Sequence, residues 1–379
     1  MRILYCVSQL ALRGGAERIV ISKMNALVRH YGVEVHVLIA DQKGRDYAYP
    51  LDSSVQVHDM CVSSYVPNRV VPFISFFQTC QRLKQVYADK IQQICPDVVL
   101  VIERGFDDFV IPFICKDIPR LREFHSSREA ANIRANAVEG KLRRLSVKLQ
   151  NKLVYSLFNK YDGVVVLTQR DLNYSHYSNA TYVIPNFIPQ IPKEQSSLDK
   201  KNVISVGRLD KNKNFKDQIL AWEKVAKKHS DWTLHIYGEG PERSLLEQLI
   251  DKLNLHQKVI LHGNVSNIND SYLDSSFLLC TSRADGLSMV LIEAMSFGLP
   301  CISYDAPCGP SEIISEGKDG FLVSMDDIST LENKINYLIE NQEARCSMGT
   351  AARKKAEKFT EAVVMPQWIS LFNQLKKIK

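Results

Sequence analysis

Apolar, β-branched runs alternate along this chain with stretches of helical period, a pattern that predicts strand–helix–strand units and parallel sheets. In the first half, Ile3 to Val7, Val33 to Ile39, Val98 to Ile102 and Val164 to Leu167 read as buried strands, with a helix at Ala16 to His30. After the segment IPNFIPQIPKEQSSLDKK the pattern restarts. Strands are expected there at Asn202 to Val206, Trp232 to Tyr237, Val259 to His262, Phe277 to Thr281 and Pro300 to Ser303. Proline, serine and charge concentrate between Pro185 and Lys201, which places the domain linker in that segment. The expectation is an α/β protein of two doubly wound domains, residues 1–190 and 191–359, followed by a helical tail at 360–379. Ligands of such domains bind at the carboxyl ends of the strands.

Composition narrows the class. At 45% hydrophobic and 24% charged, the 379 residues exclude collagen-like, disordered and disulfide-stapled chains. The longest apolar runs fall short of the roughly 18 residues of a membrane-spanning helix. The start, MRILYCVSQL, lacks the long apolar core and cleavage site of a secretory signal, so the expected location is cytoplasmic. Nine cysteines, never spaced Cys-x-x-Cys, argue against a disulfide framework and a zinc site and read as buried thiols. The net charge of +6 is modest, but ten Lys or Arg against three Glu fall between Arg120 and Lys160. With no aromatic interleaving before Tyr155 and Phe158 and no nucleic-acid motif beside it, this basic segment does not point to nucleic acid.

The most specific stretch begins RADGLSMVLIEAMSFGLP at Arg283, where a strand passes into a helix. Seven residues separate Asp285 from Glu293, so one acid stands where the helix begins and the other about two turns along. Between them the amides of Gly286, Leu287 and Ser288 are expected to form a helix N-terminus suited to a phosphate or sugar oxygen. In ISVGRLDKNKNF, Arg208 offers a planar fork of donors and Lys213 a compact charge, a pair suited to a diphosphate that gains charge as it leaves. HIYGEGPE ends a strand with Gly238 and Gly240, and Arg13, Gly14 and Gly15 precede the first helix, where adjacent glycines admit a bulky anion. His125, in REFHSS, is a candidate for the same crevice. Each feature taken singly has a plainer reading: an acidic N-cap, solvated loop cations, a glycine turn, a structural histidine. There is no Asp-x-Asp, His-Glu-x-x-His, Walker loop or Gly-x-Ser-x-Gly.

Taken in order, GGAER at Gly14, VGRLDKNKN at Val206, YGEGPE at Tyr237, HGNVSNI at His262 and the Asp285 to Glu293 stretch resemble a retaining glycosyltransferase of family 4, over nearly the whole chain. The resemblance implies the GT-B fold, two Rossmann-like domains facing across a cleft, with the last helix returning to pack on the first. It implies transfer of a hexose or N-acetylhexosamine from a nucleotide sugar, UDP favoured over GDP, with no essential metal and no other cofactor. The acceptor would be a saccharide or a polyprenyl-pyrophosphate-linked saccharide in polysaccharide or lipopolysaccharide synthesis. By that likeness Arg208 and Lys213 hold the donor diphosphate, Glu293 the ribose and Asp285 the transferred sugar. Gly15 approaches the donor phosphate, and His125 the sugar. The family usually has Glu where this chain has Asp285, a carboxylate one methylene shorter. Lys141, Arg143, Arg144, Lys148 and Lys152, interleaved with leucines, suit a lipid pyrophosphate or an anionic membrane surface, or simply a solvated helix face. Two other classes share these features: a GT-B sugar-nucleotide epimerase and a catalytically silent partner subunit.

Overall fold

A computed structural model describes residues 1–12, 14–62, 73–102, 107–136, 138, 140–307 and 309–377. The chain divides into two compact units, Met1–Asn186 with Val364–Lys379, and Phe187–Val363. Each is a parallel sheet with helical crossovers.

The first unit contains β1 (Arg2–Val7), β2 (Glu34–Ile39), β3 (Gln56–Asp59), β4 (Val98–Val101), β5 (Arg120–Glu123), β6 (Gly163–Val166) and β7 (Ala180–Val183), in the order β3-β2-β1-β4-β5-β6-β7. The runs ILYCV in β1 and VVLV in β4 are buried throughout because helices cover both faces. Helix Gly15–Tyr31 follows β1 and stops at Gly32, whose φ of +60° suits a residue without a β-carbon.

The second unit contains β8 (Asn202–Val206), β9 (Thr233–Tyr237), β10 (Val259–Gly263), β11 (Phe277–Cys280), β12 (Cys301–Tyr304) and β13 (Gly320–Val323), in the order β10-β9-β8-β11-β12-β13. Trp222, Phe215, Leu234, Phe277 and Ile302 form the middle of its core, each at most 2% exposed.

Four features depart from the sequence reading. The most consequential is β5, RLRE, a central strand that apolar periodicity did not reveal because its buried charges are each paired. Arg122 Nε lies 2.7 Å from Asp108, Arg120 Nε 2.9 Å from Asp162, and Glu123 is bound to Lys23. The basic segment is thereby reduced to the helix beyond it. Next, the 185–201 stretch read as linker is docked. The Ser196 hydroxyl donates to Ser275 O at 2.5 Å and Arg345 Nε to Leu198 O at 3.0 Å, so its polarity is spent on the second unit and not on solvent. Third, Cys6, Cys80, Cys280 and Cys301 are buried, but Cys61 and Cys95 are exposed in loops. Fourth, the helix expected to open at Gly286 begins at Met289. Ser288 is its N-cap, so the first-turn amides are those of Met289 and Val290.

Candidate functional site

The second unit gathers its chemistry at the carboxyl ends of β8, β9 and β11. Beyond β8, the loop GRLDKNKN is shaped by Asp210, whose Oδ1 accepts from the amides of Asn212 and Lys213, each at 3.0 Å. Asn214 closes the turn at φ +51°. This loop is also fastened to the one after β11. Asn212 Nδ2 donates to Ala284 O at 2.9 Å, the Arg283 amide to Asn212 O at 2.7 Å, and the Thr281 hydroxyl to Asn214 O at 2.9 Å.

The result is a contact between two residues predicted for separate roles. Lys213 Nζ stands 2.9 and 3.0 Å from the two carboxylate oxygens of Asp285. Their side chains are 23% and 14% exposed, so the pair is sheltered but reachable. Burial alone would lower the Lys213 pKa, but the Asp285 charge and its hydrogen bonds, joined by Cys280 and Asp210, together hold the ammonium above the usual lysine value. Arg208 differs: its side chain is 72% exposed, with Asp210 3.8 Å from Nε. One cation is thus fixed in place, and the other is available to a ligand.

Glu293 lies in helix Met289–Ser296, half-buried, and its Oε2 accepts from the Tyr272 hydroxyl at 3.3 Å. Tyr272 is itself stacked on Phe297, ring centroids 5.4 Å apart. Leu287 and Ser288 are buried, and Gly286 is half-buried beside Asp285. The two glycines after β9 serve the loops themselves. A β-carbon at Gly238, where φ is +135°, would stand 1.9 Å from Gly207 O, and one at Gly240 would stand 2.3 Å from Leu209 O. They let the β9 loop close on the β8 loop, which the Leu209 amide secures by donating to Glu239 O at 3.0 Å.

In the first unit, the glycines before helix Gly15–Tyr31 part company. At Gly14 an added β-carbon would lie 2.2 Å from Glu17 Oε2, so the space there belongs to that carboxylate, whereas at Gly15 nothing among the described residues lies within 4 Å. Gly15 is the open position. Arg13 falls outside the described residues. His125, just beyond β5, is held near Glu123, with Nε2 3.1 Å from Oε1 and a side chain 9% exposed.

Helix Lys141–Phe158 buries Val154, Tyr155 and Phe158 and leaves Lys141, Arg143, Arg144, Lys148 and Lys152 in solvent. Leu142, Leu145, Leu149 and Leu153 are 86%, 64%, 59% and 56% exposed. Each of these leucines directly follows one of the basic residues Lys141, Arg144, Lys148 and Lys152, so an apolar stripe runs beside a cationic one. Among the described residues no helix is long and apolar enough to cross a membrane.

Three groups that carry this geometry were not singled out in the sequence. Asp210 had a signal, the turn-forming D-K-N-K-N pattern. Tyr272 and Lys23 had none, because their partners are 21 and 100 residues away.

Residues 187–355 match the sequence model of the family described as Glycosyl transferases group 1. The chain is 27% identical over 384 residues to the amylovoran biosynthesis glycosyltransferase AmsD of Erwinia amylovora, covering 98% of this chain and 99% of that protein. It is 33% identical over 220 residues to an exopolysaccharide phosphotransferase of Streptomyces coelicolor, a match that takes in 56% of this chain and spans only 23% of that protein. Its fold is similar to the crystal structure of an S. aureus TarM mutant in complex with Fondaparinux, alpha-GlcNAc-glycerol and UDP. The TM-score there is 0.76 at 17% identity, over 98% of this chain and 99% of the other.

Proposed function

Because the chain is a glycosyltransferase of GT-B fold whose C-terminal unit belongs to the glycosyl transferases group 1, we propose that it moves a hexose or N-acetylhexosamine from a UDP-sugar, with retention, to a saccharide or lipid-linked saccharide in cell-surface glycan synthesis. The observation that carries this reading is the Lys213–Asp285 pair beside exposed Arg208, with Glu293 further along the adjoining helix.

In this reading the donor diphosphate takes Lys213 and Arg208 as counter-charges, and Glu293 accepts from the ribose hydroxyls. Asp285, released from part of its bond to Lys213, turns to the transferred sugar. The glycosidic bond to the diphosphate breaks as the acceptor hydroxyl attacks the same face of the anomeric carbon. The hydroxyl proton passes to the departing phosphate oxygen. No protein base is needed, and the protein acts chiefly by stabilising charge that grows on the leaving group. Within the first unit, this reading assigns Gly15 to a phosphate oxygen and His125 to a sugar hydroxyl.

The test is UDP release with and without acceptor, in excess EDTA, with the product's anomeric configuration read by NMR. Acceptor-dependent release and an unchanged configuration support the reading. Inversion, release only on addition of manganese or magnesium, or epimerisation without acceptor would overturn it.

Helix Lys141–Phe158 gives the enzyme a surface for the anionic membrane that carries a lipid-linked acceptor: the leucine stripe reaches the acyl boundary and the basic stripe the phosphates. Changing Arg143, Arg144 and Lys148 together to Gln should weaken sedimentation with anionic vesicles at least tenfold, as should raised salt. Equal sedimentation of parent and triple variant would make this helix a plain solvated surface.

A further inference from the structure

At the end of β5 lies a buried charge cluster that the transfer chemistry above does not use. Lys23, on helix Gly15–Tyr31, is 1% exposed and donates to Glu123 Oε1. Its ammonium lies over the ring of Trp368 in the C-terminal helix Glu361–Lys376, 3.8 Å from the centroid, and 5.8 Å from the Tyr5 ring of β1. The same carboxylate oxygen faces His125, with Nε2 at 3.1 Å. Two nitrogens therefore converge on one oxygen. Among the described residues both ring nitrogens of His125 are buried without a partner in hydrogen-bond geometry, and of the two Nε2 is the one that Glu123 Oε1 faces at 3.1 Å, an arrangement that needs a reason in a site of this kind. Burial would raise the Glu123 carboxyl, yet Lys23 and His125 hold it down to about 2.

We propose that Glu123 is a positioning residue for His125: its anionic Oε1 keeps the imidazole proton on Nε2 and reserves Nδ1 as the ring's acceptor for a saccharide hydroxyl, while Lys23, held under the Trp368 ring, keeps Glu123 charged. A carboxylate on one ring nitrogen decides the tautomer and so leaves the other a lone pair. Lys23 neutralises Glu123, so the ring meets a compensated pair and not a bare charge. The C-terminal helix thereby reaches His125 through two side chains. The inference rests on the reading that His125 meets the sugar, but its first test does not.

That test is nitrogen-15 NMR of the histidine-labelled full chain. The parent should show the His125 proton on Nε2, and Glu123→Gln should move population to Nδ1, because the amide can donate to Nε2. An unchanged tautomer in Glu123→Gln overturns the proposal whether or not the chain transfers sugar. The second test is a cycle of turnover measurements. Glu123→Gln should lower kcat about tenfold with the UDP-induced melting shift intact, and should cost less than twofold once His125→Ala is present. Equal losses in the two backgrounds would mark Glu123 as a packing residue only. Should Glu123→Gln fail to fold, Lys23→Met with Glu123→Gln removes both buried charges together, and the same tautomer change is expected. Its absence there is equally decisive against the proposal.

Discussion

The two units share one strand order, with a seventh strand, β7, added in the first, and they use charge in opposite ways. The first buries its ion pairs in the sheet: Arg122 with Asp108 and Lys23 with Glu123 are all at most 1% exposed. The second keeps its sheet apolar and carries charge on the loops beyond β8 and β11, where Lys213 and Asp285 meet. A doubly wound sheet dictates neither choice. It dictates only that loops at the carboxyl ends are free to vary, and the second unit spends that freedom on a preorganised ion pair while the first spends its polar residues on its own core.

The sharpest way to break this comparison is to remove the loop cations. Lys213→Ala and Arg208→Ala should each lower turnover by roughly a hundredfold or more, since each removes charge that matters most at the transition state. Losses within threefold in steady-state assays would make them solvated cations. Because Lys213 and Asp285 are in contact, adding Asp285→Asn to Lys213→Ala should cost much less than its own loss of about tenfold in kcat. Full additivity would deny the pair a shared role. Asp285 stands three residues before Ser288, the N-cap position of the adjoining helix, so a melting-temperature effect alone at Asp285 would not be explained by capping.

Charge in the first unit should show as stability. Burial raises the Asp107 carboxyl to about 6 from 3.8, opposed by its bond to Tyr87. A carboxyl raised in the fold favours the native state below about pH 4, and that contribution is lost as pH rises through 6. Asp107→Asn, which never ionises, should therefore raise stability by on the order of 2 kcal/mol at pH 8 and by almost nothing at pH 3.5. The same gain at both pH values in urea titrations would remove ionisation as the cause. Glu123 runs the other way, its contribution lost as pH falls from about 4.5 toward 2.

The smallest effects should separate Gly14 from Gly15. Gly14→Ala meets Glu17 and should lower the melting temperature by a few degrees. Gly15→Ala meets nothing within 4 Å among the described residues and should keep that temperature while raising the donor KM several-fold. A donor KM unchanged in Gly15→Ala would place the donor phosphate elsewhere.

By itself the sequence determined two parallel α/β units, the loops that carry Arg208, Lys213 and Asp285, and the helix that carries Glu293. Apolar runs with flanking turns are short-range signals, so β1, β4 and β8 are legible to within a residue or two. β5 was not legible, because a strand reading RLRE is tolerable in a core only when every charge has a partner, and Lys23 is 100 residues from Glu123. The boundary between the units, at Asn186 and Phe187, was legible in the 185–201 stretch, but the docking of that stretch was not, since polar composition looks the same whether solvent or Ser275 and Arg345 take its hydrogen bonds. Motif spacing likewise located Lys213 and Asp285 72 residues apart, but only the hydrogen bonds between two loops put ammonium against carboxylate. Period and turn chemistry act over a few residues and are written locally. Partnership between charges depends on which strands lie side by side, and the tertiary structure alone decides that.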